Sequence, residues 1–94
     1  MMEIQHSEVK KKGNFFIDEN GEKLAELVYF RSSPGEMTIY HTEVSPKLRG
    51  EGIGRDLVAA AVKFARENLL KIEATCPYAK KLIDKTPEYQ DIIA

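Results

Sequence analysis

Three glycines alternate in Arg49-Gly50-Glu51-Gly52-Ile53-Gly54, where one hydrophobic period gives way to another. Upstream, Met37 to Val44 carries the β formers Ile39, Tyr40 and Val44. Downstream, from Ile53 to about Asn68, the residues Ile53, Leu57, Val58, Ala61, Val62, Ala65 and Leu69 recur at three- and four-residue steps. Asp56, Lys63 and Glu67 fall on another face. The order is strand, glycine loop, amphipathic helix. The first turn of a helix has amides without intrahelical partners, and the helix dipole adds partial positive charge there. Glycines let an anion approach that backbone, and Arg49 or Arg55 adds charge-assisted hydrogen bonds. The segment is suited to a phosphate.

Two familiar phosphate loops are excluded. A Walker A loop needs Gly-Lys-Ser/Thr, and here Gly54 is followed by Arg55-Asp56. A dinucleotide fingerprint needs Gly-x-Gly-x-x-Gly/Ala; counted from Gly50 the last position is Arg55, and from Gly52 it is Leu57. The stretch beyond Gly54 is also too short for a doubly wound sheet.

Upstream of the loop the chain reads as strands joined by tight turns. Ile4 to Val9 is a first strand, Lys10-Lys11-Lys12-Gly13 a charged turn, and Asn14 to Asp18 a short strand. Asn20-Gly21 tolerates positive φ and predicts a hairpin, with Lys23 to Arg31 returning. Both faces of that strand are apolar, with Ala25, Leu27 and Tyr29 on one and Leu24, Val28 and Phe30 on the other. It is expected to be central. Pro34-Gly35 marks the next turn. After the helix, Lys71 to Thr75 reads as a strand, Pro77 to about Lys85 as a helix, and Tyr89 to Ile92 as a last strand or extended tail. The fold class is α+β: an antiparallel meander, then a strand–helix–strand unit with parallel strands and a right-handed crossover, then a short C-terminal helix.

Composition narrows the function classes. At roughly 100–200 residues per domain, 94 residues make a single domain, 1–94. A net charge of −1 argues against nucleic acid as partner. One cysteine excludes a disulfide framework, and no cluster of His, Cys and carboxylates has ligand spacing, so no metal is expected. The longest apolar run, Leu57 to Val62, is far short of a membrane span. Met1 to His6 lacks the layout of a signal peptide. A cytoplasmic setting without membrane association is expected.

Arg49, Gly52 and Gly54 form Arg-x-x-Gly-x-Gly, which resembles the acyl-coenzyme A motif of the GNAT N-acetyltransferase superfamily. The likeness spans about Met37 to Lys81. Outer segments resemble a small subfamily of minimal GNAT-like proteins: His41-Thr42-Glu43-Val44 before the loop, and Cys76-Pro77-Tyr78-Ala79-Lys80 after the next strand. The resemblance implies two parallel strands that splay apart, their free backbone groups holding the pantetheine arm as an added strand would. It implies acetyl-coenzyme A as acyl donor, with Glu43 and Val44 along the arm. The pyrophosphate would lie on Arg49, Gly50, Glu51, Gly52, Ile53, Gly54 and Arg55. It implies an amine acceptor; the alternative is an acyl-coenzyme A binding module without turnover. Where full-size members carry a helical insert that walls the acceptor site, only a four-residue turn separates Val9 from Asn14.

Three side chains are candidates for chemistry. Cys76 precedes Pro77 and so caps the short helix, whose N-terminus lowers a thiol pKa; the resemblance puts it near the thioester as a nucleophile. His41 is a general-base candidate, with Glu43 on the same strand face. Tyr78 is a candidate general acid toward the departing thiolate, as tyrosine is in many members of the superfamily. Lys80 and Lys81 are candidates for the coenzyme phosphates. Phe15, Phe16, Tyr29 and Phe30 are expected in the core, and His6 on the surface.

Overall fold

A computed structural model describes residues 3–94. Met1 and Met2, part of the N-terminal stretch read above as lacking a leader's layout, lie outside the described residues. Five strands form one mixed sheet in sequence order: β1 (Gln5–Val9), β2 (Lys12–Glu19), β3 (Glu22–Ser33), β4 (Glu36–Val44) and β5 (Lys71–Ala74). The first four pair antiparallel, and β5 pairs parallel to β4. The crossover between them carries α1 (Ile53–Glu67), and α2 (Pro77–Asp84) follows β5. A 3₁₀ segment, Pro87–Ile92, stands where a terminal strand or tail was expected. Pro87 at its start fixes φ and Gln90 donates to three carbonyls, those of Ile83, Asp84 and Thr86, which favours the coiled turn. Extended pairing begins only after it, where Ile93 bridges Ile72.

Pairing of strands with period-two side chains sorts the sheet into two faces. Phe15, Ile17, Leu27, Tyr29, Met37 and Ile39 are buried together with Leu57, Val58, Ala61, Val62 and Ala65 of α1. α2 and the Pro87–Ile92 segment pack beside α1, adding Ala79, Ile83 and Ile92 to the same core. Each fully buried Leu or Ile contributes on the order of 1.5–3 kcal/mol, so this one face supplies most of the stabilisation. The other face carries Phe16, Val28, Phe30 and Tyr40, and among the described residues no helix packs on it. Phe16 and Phe30 are therefore not core residues as expected. They alternate with Phe15 and Tyr29, which take the helix side.

His6 lies at the exposed edge of the sheet, as expected, but its ring makes defined contacts there. Its ring stacks on Phe15 at 4.2 Å and meets Phe64 of α1 edge-on at 4.7 Å. Its Nε2 lies 2.7 Å from the buried Tyr29 hydroxyl, which donates to Glu8, and Arg31 clasps Glu8 through two further bonds. Burial lowers the His6 pKa from 6.5. The Arg31 guanidinium, with the Tyr29 hydroxyl, lowers that of Glu8 from 4.5. Both groups take up a proton less readily folded than unfolded, so each contributes stability above its unfolded pKa and loses it as pH falls. The urea midpoint is expected to fall first below pH about 6.5, then again below about 4.5. His6→Gln is expected to remove the first step; a midpoint flat from pH 7 to 5 in the parent chain would contradict this.

Candidate functional site

The site begins where β4 and β5 part. They are paired from Glu36/Lys71 to Ile39/Ala74. The Ile39 carbonyl then accepts from the Thr75 amide at 2.9 Å and the Cys76 amide at 3.3 Å. Beyond it the chain turns into α2, while β4 runs on to Val44 bonded to β3 alone. Among the described residues, no strand lies beside the outer backbone edge of β4 from Tyr40 onward.

A β-bulge sets which side chains face this opening. Val28 pairs with His41 and Tyr29 with Ile39, so Tyr40 is the extra residue. Before it, Met37 and Ile39 face the helices. After it, Thr42 and Val44, opposite Leu27 and Ala25, take that side. Thr42 and Val44 consequently line a cleft of about 380 Å³ together with Ser45, Leu48, Arg49, Gly50, Gly52, Ile53, Gly54 and Tyr78. His41 and Glu43 are turned to the uncovered face, where they pair at 3.2 Å. Neither side chain lines the cleft; the bulge sets both on the other side of the sheet.

The loop is built to leave amides free. Ser45 caps a 3₁₀ turn at Pro46–Leu48, and buried Leu48 anchors it. Gly52 caps α1 in the left-handed region at φ 72°, a conformation costly for other residues. No side chain caps this helix, and its first internal bond runs from the Asp56 amide to the Gly52 carbonyl. The amides of Ile53, Gly54 and Arg55 thus have no partner within the helix. At Gly54 the constraint is space: a Cβ there would lie 2.5 Å from the Tyr78 hydroxyl. Glu51 leaves the cleft and lines an acidic hollow with Glu3, Asp18, Glu19 and Asp56. Glu51 therefore meets like charges rather than the cleft's free amides.

Beyond Tyr78 the cleft adjoins a groove of about 640 Å³ lined by Arg55, Tyr78, Lys81, Leu82, Lys85, Thr86 and Tyr89. Tyr78, Lys81, Leu82 and Lys85 follow helical spacing along one side of α2 and its end. Arg55, Lys81 and Lys85 make no ion pair among the described residues, and no carboxylate lines either hollow. Lys80 faces elsewhere and pairs with Asp84 at 3.2 Å, one turn along the helix. Lys85, not Lys80, stands beside Lys81 in this groove. Lys85, Tyr89 and Thr42 were legible in retrospect only, the first from the three- and four-residue rhythm of α2.

Cys76 is the N-cap of α2, as its position before Pro77 predicts, and it is buried. Its Sγ lies 3.5 Å from the Thr42 hydroxyl. Burial pushes the thiol pKa up, but hydrogen bonds from the Thr42 hydroxyl and from the amides of Ala79, Tyr78 and Thr42 outweigh it, and the net direction is down. Tyr78 is half exposed, with its ring laid over Gly54. Among the described residues, no group of three or more His, Cys, Asp or Glu is arranged to hold a metal ion, and no helix is long and apolar enough to cross a membrane.

Comparison with known proteins gives a consistent pattern. A family model described as GCN5-related N-acetyl-transferase matches residues 14–92. Protein NATD1 of Xenopus tropicalis is 33% identical over 85 residues, covering 89% of this chain and 76% of its own length. Protein NATD1 of Danio rerio is 33% identical over 90 residues, covering 95% and 80%. The solution structure of a GCN5-like chain from Staphylococcus aureus superposes with a TM-score of 0.77 at 41% identity, over 98% of this chain and 87% of that one. A ribosomal-protein-alanine N-acetyltransferase from Brucella melitensis superposes with a TM-score of 0.64 at 19% identity, over 89% and 64%, a likeness of fold alone.

Proposed function

Because the chain belongs to the GCN5-related N-acetyl-transferase family, we propose that it takes acetyl-coenzyme A as donor and passes the acetyl group to an amine, by way of Cys76. One observation carries this reading: Ile53 and Gly54, whose amides have no partner within the helix, line the same cleft as the unpaired end of β4. A pyrophosphate suits the amides, reinforced by Arg49 and Arg55. A pantetheine arm, with its own amides, suits a strand edge left without a neighbour. The basic groove of Arg55, Lys81 and Lys85, flanked by Tyr78 and Tyr89, fits the phosphorylated nucleoside end. When bound, the donor would supply a thioester carbonyl as the acyl group to be transferred.

The protein's part in transfer falls to the α2 N-terminus. The thiol of Cys76, favoured as thiolate by Thr42 and the α2 amides, attacks the acetyl carbonyl. The carbon–sulfur bond to the coenzyme breaks as the bond to Cys76 forms, and the coenzyme leaves as a thiolate. The Tyr78 hydroxyl, at the cleft wall beside Gly54, is suited to protonating it. The acceptor amine then attacks the acetyl-cysteine, the carbon–sulfur bond breaks to return the Cys76 thiolate, and His41, on the uncovered face, takes up the amine's proton.

Intact mass after incubation with acetyl-coenzyme A tests this. The parent chain is expected to gain one acetyl group that hydroxylamine removes, and Cys76→Ala to gain none. Absence of the adduct together with undiminished turnover by Cys76→Ala would exclude the cysteine route and leave direct attack by the amine.

A further inference from the structure

The two edges of the sheet are finished differently. At one, Ile93 bridges Ile72 of β5, and the Ala94 amide donates to the Ile72 carbonyl. At the other, among the described residues, no strand pairs with the outer side of β1. Natural sheets guard such an edge with a lysine or proline inside the strand, or with a bulge. Gln5–Val9 contains neither residue, and its register with β2 is unbroken.

Alternation identifies the outward backbone groups. The Arg31 amide donates to the Lys11 carbonyl, so Lys11 faces β3, and Lys12, Asn14 and Phe16 face β1. Their partners Val9, Ser7 and Gln5 turn inward, which leaves the amides and carbonyls of His6 and Glu8 facing out. Antiparallel self-pairing must join these outward residues, with the two-fold axis at His6, Ser7 or Glu8. An axis at His6 sets imidazole against imidazole. An axis at Glu8 sets carboxylate against carboxylate and His6 against Lys10. An axis at Ser7 sets His6 opposite Glu8 in both directions, the register that pairs unlike groups.

The same register joins two charge clusters. Near the start of β1, Glu3 lines a hollow of about 630 Å³ with Asp18, Glu19, Glu51 and Asp56. Among the described residues none of these carboxylates makes an ion pair, so they repel one another uncompensated. Beyond the other end of β1, Lys10 and Lys11 form the turn to β2, exposed and likewise without an ion pair among the described residues. Lys12 is set apart, its ammonium 5.9 Å from the Tyr40 ring centre. With the axis at Ser7, Lys10 of one copy falls opposite Ile4 of the other, and Lys11 opposite Glu3.

We propose that β1 pairs antiparallel with β1 of a second copy about Ser7, making one continuous sheet with Lys10 and Lys11 of each copy at the acidic hollow of the other. The cleft beside β4 lies toward the far edge of the sheet and stays open. The charges that join are exposed, so the pairing weakens with salt.

Sedimentation velocity on the full chain tests this. At low salt the mass is expected to rise from monomer toward dimer as concentration is raised. It is expected to return to monomer in about 1 M sodium chloride, where charges act over only about 3 Å. Lys10→Glu with Lys11→Glu is expected to weaken the dimer at least about tenfold. Glu3→Lys with Asp18→Lys and Glu19→Lys, all at exposed positions, is expected to do the same. An equimolar mixture of the two variants is expected to recover most of the association, because each turn then meets a hollow of opposite charge. A folding defect in either variant gives no such rescue. The His6 and Glu8 amides are expected to gain protection from hydrogen exchange in the dimer. A parent chain that stays monomeric at about 1 mM and low salt, a mixture without rescue, or a dimer with these amides unprotected would overturn the proposal.

Discussion

Gly54→Trp is expected to abolish coenzyme A binding while the protein stays folded. Gly54 sits within the first turn of α1, at the wall of the cleft. A mere Cβ there would stand 2.5 Å from the Tyr78 hydroxyl and 2.8 Å from its ring carbon Cζ. An indole must therefore push Tyr78 out and occupy the cleft, whose volume is about 380 Å³. The loss should reach at least about 100-fold in Kd, or about 2.7 kcal/mol. Fold should survive because the position is helical, and glycine is itself a poor helix residue. Gly52→Trp is the weaker experiment, since φ there is 72° and a side chain adds backbone strain that confuses loss of binding with loss of structure. Gly54→Ala supplies the control. Tyr78 is half exposed and its far end can swing away, so a loss of only a few-fold is expected. Titration calorimetry with coenzyme A, beside a thermal melt of each variant, decides it. Near-parental affinity in the folded Trp variant would remove the cleft as donor site.

What the sequence revealed and what it withheld divide along a physical line. The helix, the parallel crossover, the hairpin at Asn20-Gly21 and the Cys76 cap all rest on local signals, period or turn chemistry, and each stands in the structure. Facing was harder. Met37 and Ile39 point to the helices, yet two residues further His41 does not, because Tyr40 inserts an unpaired position. The trace of that insertion was present: the inward set shifts from odd positions, Met37 and Ile39, to even ones, Thr42 and Val44. Lys80 and Lys81 looked equivalent along the chain, and only the helical rotation of α2 separates the one bound to Asp84 from the one in the groove. The two apolar faces of β3 suggested burial on both sides, but among the described residues helices cover one side.

Tyr29→Ala is expected to cost about 3–5 kcal/mol of stability. A chain of 94 residues has a total of roughly 5–14 kcal/mol, so the variant should be close to unfolding. Tyr29 is the largest of the fully buried side chains, packed among Phe15, Phe64 and the His6 ring. It also stands opposite Ile39, the residue at which β4 and β5 part. Gly13 leaves the space its hydroxyl fills, since a Cβ there would come within 2.5 Å of it. Removing the ring therefore opens a cavity where β1, β2, β3 and α1 meet, and the rigid strands around it have little freedom to collapse. Tyr29→Phe isolates the polar share. The hydroxyl bonds Glu8 and His6, but Glu8 keeps its two bonds to Arg31 and His6 is partly open to water. The phenylalanine variant should lose only about 1 kcal/mol. Urea denaturation at neutral pH measures both. If the two variants lose equally, the hydroxyl network outweighs the packing, and the His6–Tyr29–Glu8–Arg31 cluster rather than the aromatic core holds β1 onto the sheet.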